Sequence, residues 1–165
     1  MKTLITLLLI TNSVFGQFSL GGSANRKFSI GAFGNLYYYG FYTGIEAGIH
    51  KEKHSFNLGI GAEPGSLRYA KDKDWAANFN YNYFPNGHKN RFDLLFDFNV
   101  IMGFKNYKTG FEFVQDYNLG FGFNTNLSQR FFIKPSLGTG ISMYRFKFND
   151  VSWSANARIS IGYRF

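Results

Sequence analysis

The chain has 165 residues, a length that suits one domain, and no cysteine, which excludes a disulfide framework, a thiolate metal site and a lipid-modified cysteine anchor. Its formal charge of +8 is scattered, with no Lys/Arg-rich run to focus it, so no nucleic-acid partner is expected. The composition is dominated by 21 Phe, 11 Tyr and 19 Gly, and glycine weakens strands unless something crowds one of their faces.

Residues 1–16 read as a cleaved signal peptide. Met1-Lys2-Thr3 is a short positive segment, Leu4 to Ile10 is apolar apart from Thr6, and Val14-Phe15-Gly16 offers tolerated residues ahead of a cut before Gln17. A buried N-terminal helix is the competing reading, but strand-like sequence follows at once. The apolar run is too short to span a bilayer as a helix, and no later segment approaches the roughly 20 apolar residues such a helix needs.

After Gln17 the dominant period is two. Lys27–Leu36 sets Phe28, Ile30 and Ala32 against Ser29 and Gly31. The next strand, from Phe41, sets Thr43, Ile45, Ala47 and Ile49 against Tyr42, Gly44, Glu46, Gly48 and His50. From Phe56, Leu58, Ile60 and Ala62 alternate with Asn57, Gly59, Gly61 and Glu63. In Trp75–Tyr83 the aromatic set alternates with Ala76, Asn78, Asn80 and Asn82. Phe92–Phe104 sets Leu94, Phe96, Phe98, Val100 and Met102 against Asp93, Leu95, Asp97, Asn99 and Ile101. Tyr117–Leu127 sets Leu119, Phe121 and Phe123 against Asn118, Gly120, Gly122 and Asn124. From Phe131, Ile133, Leu137 and Ile141 alternate with Phe132, Lys134, Ser136, Gly138 and Gly140. From Val151, Trp153, Ile159 and Ile161 alternate with Ser152, Ser154, Asn156, Arg158 and Gly162. These are about eight strands near the 9–11 residues of a tilted membrane-crossing strand.

The glycines decide which face is which. Gly31, Gly44, Gly59, Gly120, Gly138 and Gly162 all fall in the polar set, and the narrow interior of an eight-stranded barrel wants small side chains. A soluble sandwich would put Lys, Glu and Thr on its polar face rather than Gly, Asn and Ser. The expected fold is therefore all-β: an eight-stranded antiparallel up-and-down transmembrane β-barrel over residues 27–165. Residues 17–26 are either a periplasmic N-terminal segment or the start of the first strand.

With both termini on the periplasmic side, Lys51–Ser55, Pro85–Asn90 (with Asn86-Gly87) and Ser128–Arg130 are short inner turns. Pro64–Asp74, Lys105–Asp116 and Tyr144–Asp150 are then external loops, mostly longer and charged, and Tyr37–Gly40 is a short one. An aromatic girdle is expected at both interfaces, with Trp75, Trp153, Tyr37 to Tyr39 and Phe104 at the outer rim. Tyr81, Tyr83, Phe131, Tyr163 and Phe165 are its inner members.

The C-terminal run Ile159-Ser160-Ile161-Gly162-Tyr163-Arg164-Phe165 resembles the terminal signature of bacterial outer-membrane barrels. The whole chain after Gln17 is similar to small eight-stranded outer-membrane proteins of the OmpA/OmpX-like or porin-family kind, and its Lys27–Leu36 opening strand also looks like that group. The resemblance implies a Gram-negative outer membrane as location and Tyr163 and Phe165 as the signal read by the barrel-assembly machinery. No peptidoglycan-binding domain is expected after the barrel.

Inward-phase charges are Glu46, Glu63, Asp93 and Asp97, facing Lys134, Arg158 and Arg164. Because a buried ion must pair, a salt-bridged plug is expected, with Arg158 reaching Glu46 or Asp97. A proton path or a catalytic carboxylate pair is the functional alternative, disfavoured because eight strands leave no open channel. His50, His54 and His88 read as solvated turn residues rather than a metal site, and no cofactor is expected. Arg68, Lys71, Lys73, Lys105, Lys108, Arg145 and Lys147 lie in or beside the external loops, where contact with lipopolysaccharide phosphates and ordinary solvation are equally good readings. The Gly-x-Gly runs open no helix and are not phosphate loops.

The resulting expectation is a monomeric, non-enzymatic envelope barrel in contact with outer-membrane lipid and lipopolysaccharide, with a structural or surface-interaction role. A lipid A-modifying enzyme and a narrow gated pore are the alternatives; the enzyme lacks a base near Ser66, Ser152 or Ser154.

Overall fold

The computed structural model of the chain describes residues 26–37, 40–64, 74–87, 90–107, 110–145 and 149–165. Eight strands follow in order: β1 (Arg26–Tyr37), β2 (Gly40–Lys51), β3 (His54–Ala62), β4 (Trp75–Tyr83), β5 (Phe92–Tyr107), β6 (Gly110–Asn126), β7 (Phe131–Arg145) and β8 (Asn149–Arg164). Each pairs antiparallel with its sequence neighbours, and β1 pairs antiparallel with β8, so the sheet closes without an edge. The all-β, up-and-down architecture is as expected.

Stepping through paired residues from Lys27 across His50, Ser55, Asn82, Asp97, Gly120, Gly138 and Asn156 returns to β1 at Tyr37, ten positions along. With eight strands, a stagger of that size tilts each strand by roughly 40° to the axis. A nine-residue strand such as β4 then rises roughly 23 Å along the axis, close to the ~25 Å apolar band of membrane barrels.

The two side-chain phases separate cleanly. Along β4 burial alternates at every residue, with Ala76, Asn78, Asn80 and Asn82 inward and the aromatic set outward. Phe96, Phe121 and Ile159 are 48%, 57% and 47% exposed, whereas Asn80 is 1% exposed and Gly122 is buried. Large apolar side chains thus cover the outside while amides and charges fill the inside, the reverse of a soluble sandwich.

Two external connections are shorter than expected. Lys105–Asp116 read as a loop, yet β5 continues to Tyr107, β6 begins at Gly110, and pairing runs without a break from Val100↔Tyr117 to Tyr107↔Gly110. Tyr144–Asp150 shrinks in the same way, because β7 reaches Arg145 and β8 starts at Asn149. A ladder is held by backbone hydrogen bonds, so it outlasts the apolar alternation that marks the strand in sequence. At the other end Glu52 and Lys53 alone separate β2 from β3. Gly87 has φ 82 and its N–H donates to the Phe84 carbonyl (3.0 Å), closing a turn whose last position favours glycine.

Candidate functional site

The chemistry-bearing residues meet inside the tube. Glu46 points inward because it alternates with the exposed Ile45 and Ala47 on β2, as Arg158 does beside the exposed Ile159 on β8. The Arg158 guanidinium passes β1 and ion-pairs through Nη2 with Glu46 Oε2, while Nη1 donates to Asn78 Oδ1 on the far wall at 2.7 Å. It also lies 4.8 Å from the centre of the Phe33 ring. Phe33 has room there because β3 faces it with glycines: a Cβ at Gly59 would stand 2.7 Å from the Phe33 ring.

Asp97 on β5 accepts hydrogen bonds from Ser136 Oγ (3.0 Å) and Asn80 Nδ2 (3.3 Å). Asn80 in turn accepts from Asn57 (3.3 Å) and Asn82 (2.7 Å), which links β3, β4 and β5 by their amides. Nearer the turns, Phe132 organises a cationic group. Lys134 Nζ is 5.0 Å and the Arg164 guanidinium 4.4 Å from its ring centre, and His50 packs edge-on at 5.8 Å. Arg164 donates to Asn126 Oδ1 (2.6 Å) and Asn124 Oδ1 (3.0 Å). Asp93, near enough for electrostatic interaction with Arg164, accepts from Asn90 at 2.7 Å. Lys134 is buried, and its ammonium has no hydrogen-bond partner among the described residues but faces the Phe132 ring.

The inward charges therefore form two clusters, one around Arg158, Glu46 and Asp97 and one around Arg164 and Asp93, with Lys134 beside Phe132. Glu63 belongs to neither: it follows β3, is half-buried, and holds its carboxylate beside Gly40 at the loop end. His50 is not a solvated turn residue; it keeps the inward phase of Glu46 and Gly48, is fully buried, and its Nε2 is 2.8 Å from Ser29 Oγ. His54 is half-buried, with Nδ1 2.8 Å from Tyr81 Oη. His88 lies outside the described residues.

Two residues lie inward against the expectation from the sequence. Asp116, assigned there to a loop, is a fully buried lumen residue bonded by Ser142 Oγ, and its even spacing from Asn118 and Gly120 is the signal for it. Tyr37, expected in the girdle, shares the phase of Phe33 and Asn35 and stacks inside on Tyr42 at 5.2 Å.

Outside, Trp75 and Trp153 are exposed near the loop ends of β4 and β8, and Tyr81 and Tyr83 are half-buried at the turn end of β4. Tyr163 and Phe165 sit where β8 ends, with rings edge to face at 5.2 Å, and the Phe165 N–H donates to the Phe28 carbonyl at 2.9 Å. Arg68, Lys71, Lys73, Lys108 and Lys147 lie outside the described residues, and Lys105 and Arg145 are placed by backbone alone, at the loop ends of β5 and β7. Tyr38 and Tyr39 and residues 1–25 are outside them too, while Arg26 already belongs to β1.

No protein-family model matches the chain, and no curated protein matches it significantly. Among solved structures it is similar to the N-terminal β-barrel domain of OprF from Pseudomonas aeruginosa, at 17% identity and a TM-score of 0.59, over 84% of this chain and 97% of that one. It is also similar to outer membrane protein H (OprH) from P. aeruginosa, at 12% identity and a TM-score of 0.56, over 84% of this chain and 99% of that one. With its closed ring of eight antiparallel strands, the chain has the fold of the small eight-stranded outer-membrane β-barrels.

Proposed function

We propose that this protein is an integral outer-membrane barrel with a side-chain-filled lumen, serving a structural or surface-interaction role in the bacterial envelope rather than catalysis. The observation that carries the reading is the inverted polarity of a closed barrel. Phe121, Leu119, Ile60 and Trp153 are more than half exposed around it while Glu46, Asp97, Lys134 and Arg158 are buried within it. Such an apolar circumference is unfavourable in water and favourable in lipid, and a barrel leaves no backbone group unpaired at a sheet edge. The likeness to outer membrane protein H supports the particular membrane. The non-catalytic reading rests on the lumen's polar groups bonding to one another, as in the Arg158–Glu46–Asn78 and Asp97–Ser136–Asn80 groups.

On this reading residues 1–16 direct export and are removed, and Tyr163 and Phe165 present the last strand to the assembly machinery. The finished barrel is a monomer, and Arg68, Lys71, Lys73, Lys105, Lys108, Arg145 and Lys147 meet lipopolysaccharide phosphates from the loop end. Membrane fractionation with gel mobility before and after boiling tests the proposal. The protein should partition with outer membranes and migrate differently once boiled; recovery in the soluble fraction would overturn it.

A further inference from the structure

The rim that carries the short turns is basic. Lys27 near the start of β1, Lys51 at the end of β2, Lys53 in the β2–β3 turn, Arg91 just before β5 and Arg130 just before β7 are exposed or half-buried around it. Glu52 is the one acidic side chain exposed on that rim among the described residues, since Asp93, at the same end, is turned inward and buried. The cations are spread around the circumference instead of gathering at one point, which suits a surface partner better than a compact ligand.

A second observation sets the depth at which these cations sit. Alongside them runs a belt of rings whose polar tips are tied. Arg130 Nη1 donates to Tyr163 Oη at 2.6 Å and lies 5.8 Å from its ring centre, and Phe131 and Phe165 pack edge-on against Tyr163 at 5.0 and 5.2 Å. On β3 and β4, His54 pairs with Tyr81 and packs on Tyr83 at 5.5 Å. Amphipathic rings held in this way settle where hydrocarbon meets headgroup. Arg130 adjoins Phe131 in sequence, and Lys53 adjoins His54, so the cations stand at headgroup level or just beyond.

We infer that this rim binds anionic phospholipid headgroups, with Lys27, Lys51, Lys53, Arg91 and Arg130 facing their phosphates above the Tyr81, Tyr83 and Tyr163 belt. The inference rests on the membrane reading and adds to it a lipid class for one leaflet. Lysine and arginine gain charge-assisted hydrogen bonds to phosphate oxygens. A phosphatidylcholine headgroup carries its own ammonium beside the phosphate, so net attraction favours the anionic lipid, and salt screens it.

The test places the refolded full chain in vesicles of phosphatidylcholine mixed with phosphatidylglycerol. Spin-labelled versions of each lipid report their relative association with the barrel. Wild type should prefer phosphatidylglycerol several-fold, and the preference should fade in roughly 1 M salt, where the screening length is about 3 Å. The exposed-site variant Lys53→Gln/Arg91→Gln/Arg130→Gln should lose most of that preference while keeping the boiling-dependent gel shift of a folded barrel. Equal association of both lipids with wild type, or an unchanged preference in the variant, would overturn the rim proposal and leave the membrane reading standing. Failure of wild type to insert into vesicles of either composition would overturn the membrane reading itself.

Discussion

Arg158 and Glu46, 112 positions apart in the chain, form an ion pair across β1 inside the barrel, each almost wholly removed from solvent. Two ions taken out of water are costly unless each meets the other, and removing one partner leaves the second uncompensated. Glu46→Gln should therefore cost about 3 kcal/mol of unfolding free energy in lipid or detergent, read by urea titration. The double variant Glu46→Leu/Arg158→Met, which discards both charges, should recover most of that loss. If Glu46→Gln unfolds at the wild-type urea concentration, the pair does not hold the lumen together.

A steric pairing governs the turn end. A Cβ added at Gly162 would meet Cε1 of the Phe132 ring at 2.9 Å and Cζ closer still, and that ring is held by Arg164 and Lys134. Gly162→Ala should thus destabilise the barrel by about 1–3 kcal/mol, the usual range for overpacking. Phe132→Leu should cost less in the Gly162→Ala background than in wild type, because the shorter side chain relieves the clash. A double-mutant cycle measures this coupling, and strict additivity would show that the two residues do not compete for space.

Much of this was legible because a barrel wall has a strict period. Trp75–Tyr83 was bounded correctly from alternation alone, and Arg158 and Glu46 were placed in one compartment by counting in twos. Where alternation fades, the sequence says less: Phe113 keeps the outward phase, but Lys105 to Asp116 is charged enough to read as a loop, and the ladder there is backbone-driven. Phase alone puts Tyr42 and Phe132 in the inward set, whereas Phe33 and Tyr37 are harder to place for another reason. An aromatic residue looks lipid-facing by type, and only its phase relative to Gly31 or Lys134, together with the glycine wall opposite, turns it inward.

Both tryptophans provide an optical check on orientation. Trp75 is 54% and Trp153 is 66% exposed, both near the loop ends of their strands. In vesicles their emission should shift to the blue and be quenched by bromine carried high on lipid chains, and quenched far less by iodide in the water phase. The single-tryptophan variants Trp75→Phe and Trp153→Phe should behave alike. Strong iodide quenching in both would mean that the outward face meets water.

Among the described residues the wall has one weak seam, and proline makes it. Between β6 and β7 the paired residues run to Gly122↔Ser136 and resume at Thr125↔Ile133 in the same register, so the ladder lapses at the level of Pro135 and Lys134. Proline has no N–H to give, and in a closed barrel every strand is a central one. The group left over is a backbone carbonyl of β6, and an acceptor without a partner is costly where water is scarce. In Pro135→Val, which supplies the missing donor, the new amide at position 135 should exchange as slowly as that of Leu137, and the reconstituted barrel should gain about 1 kcal/mol against urea, the net worth of one ladder bond. An unchanged urea midpoint in that variant would show that the seam costs the wall nothing.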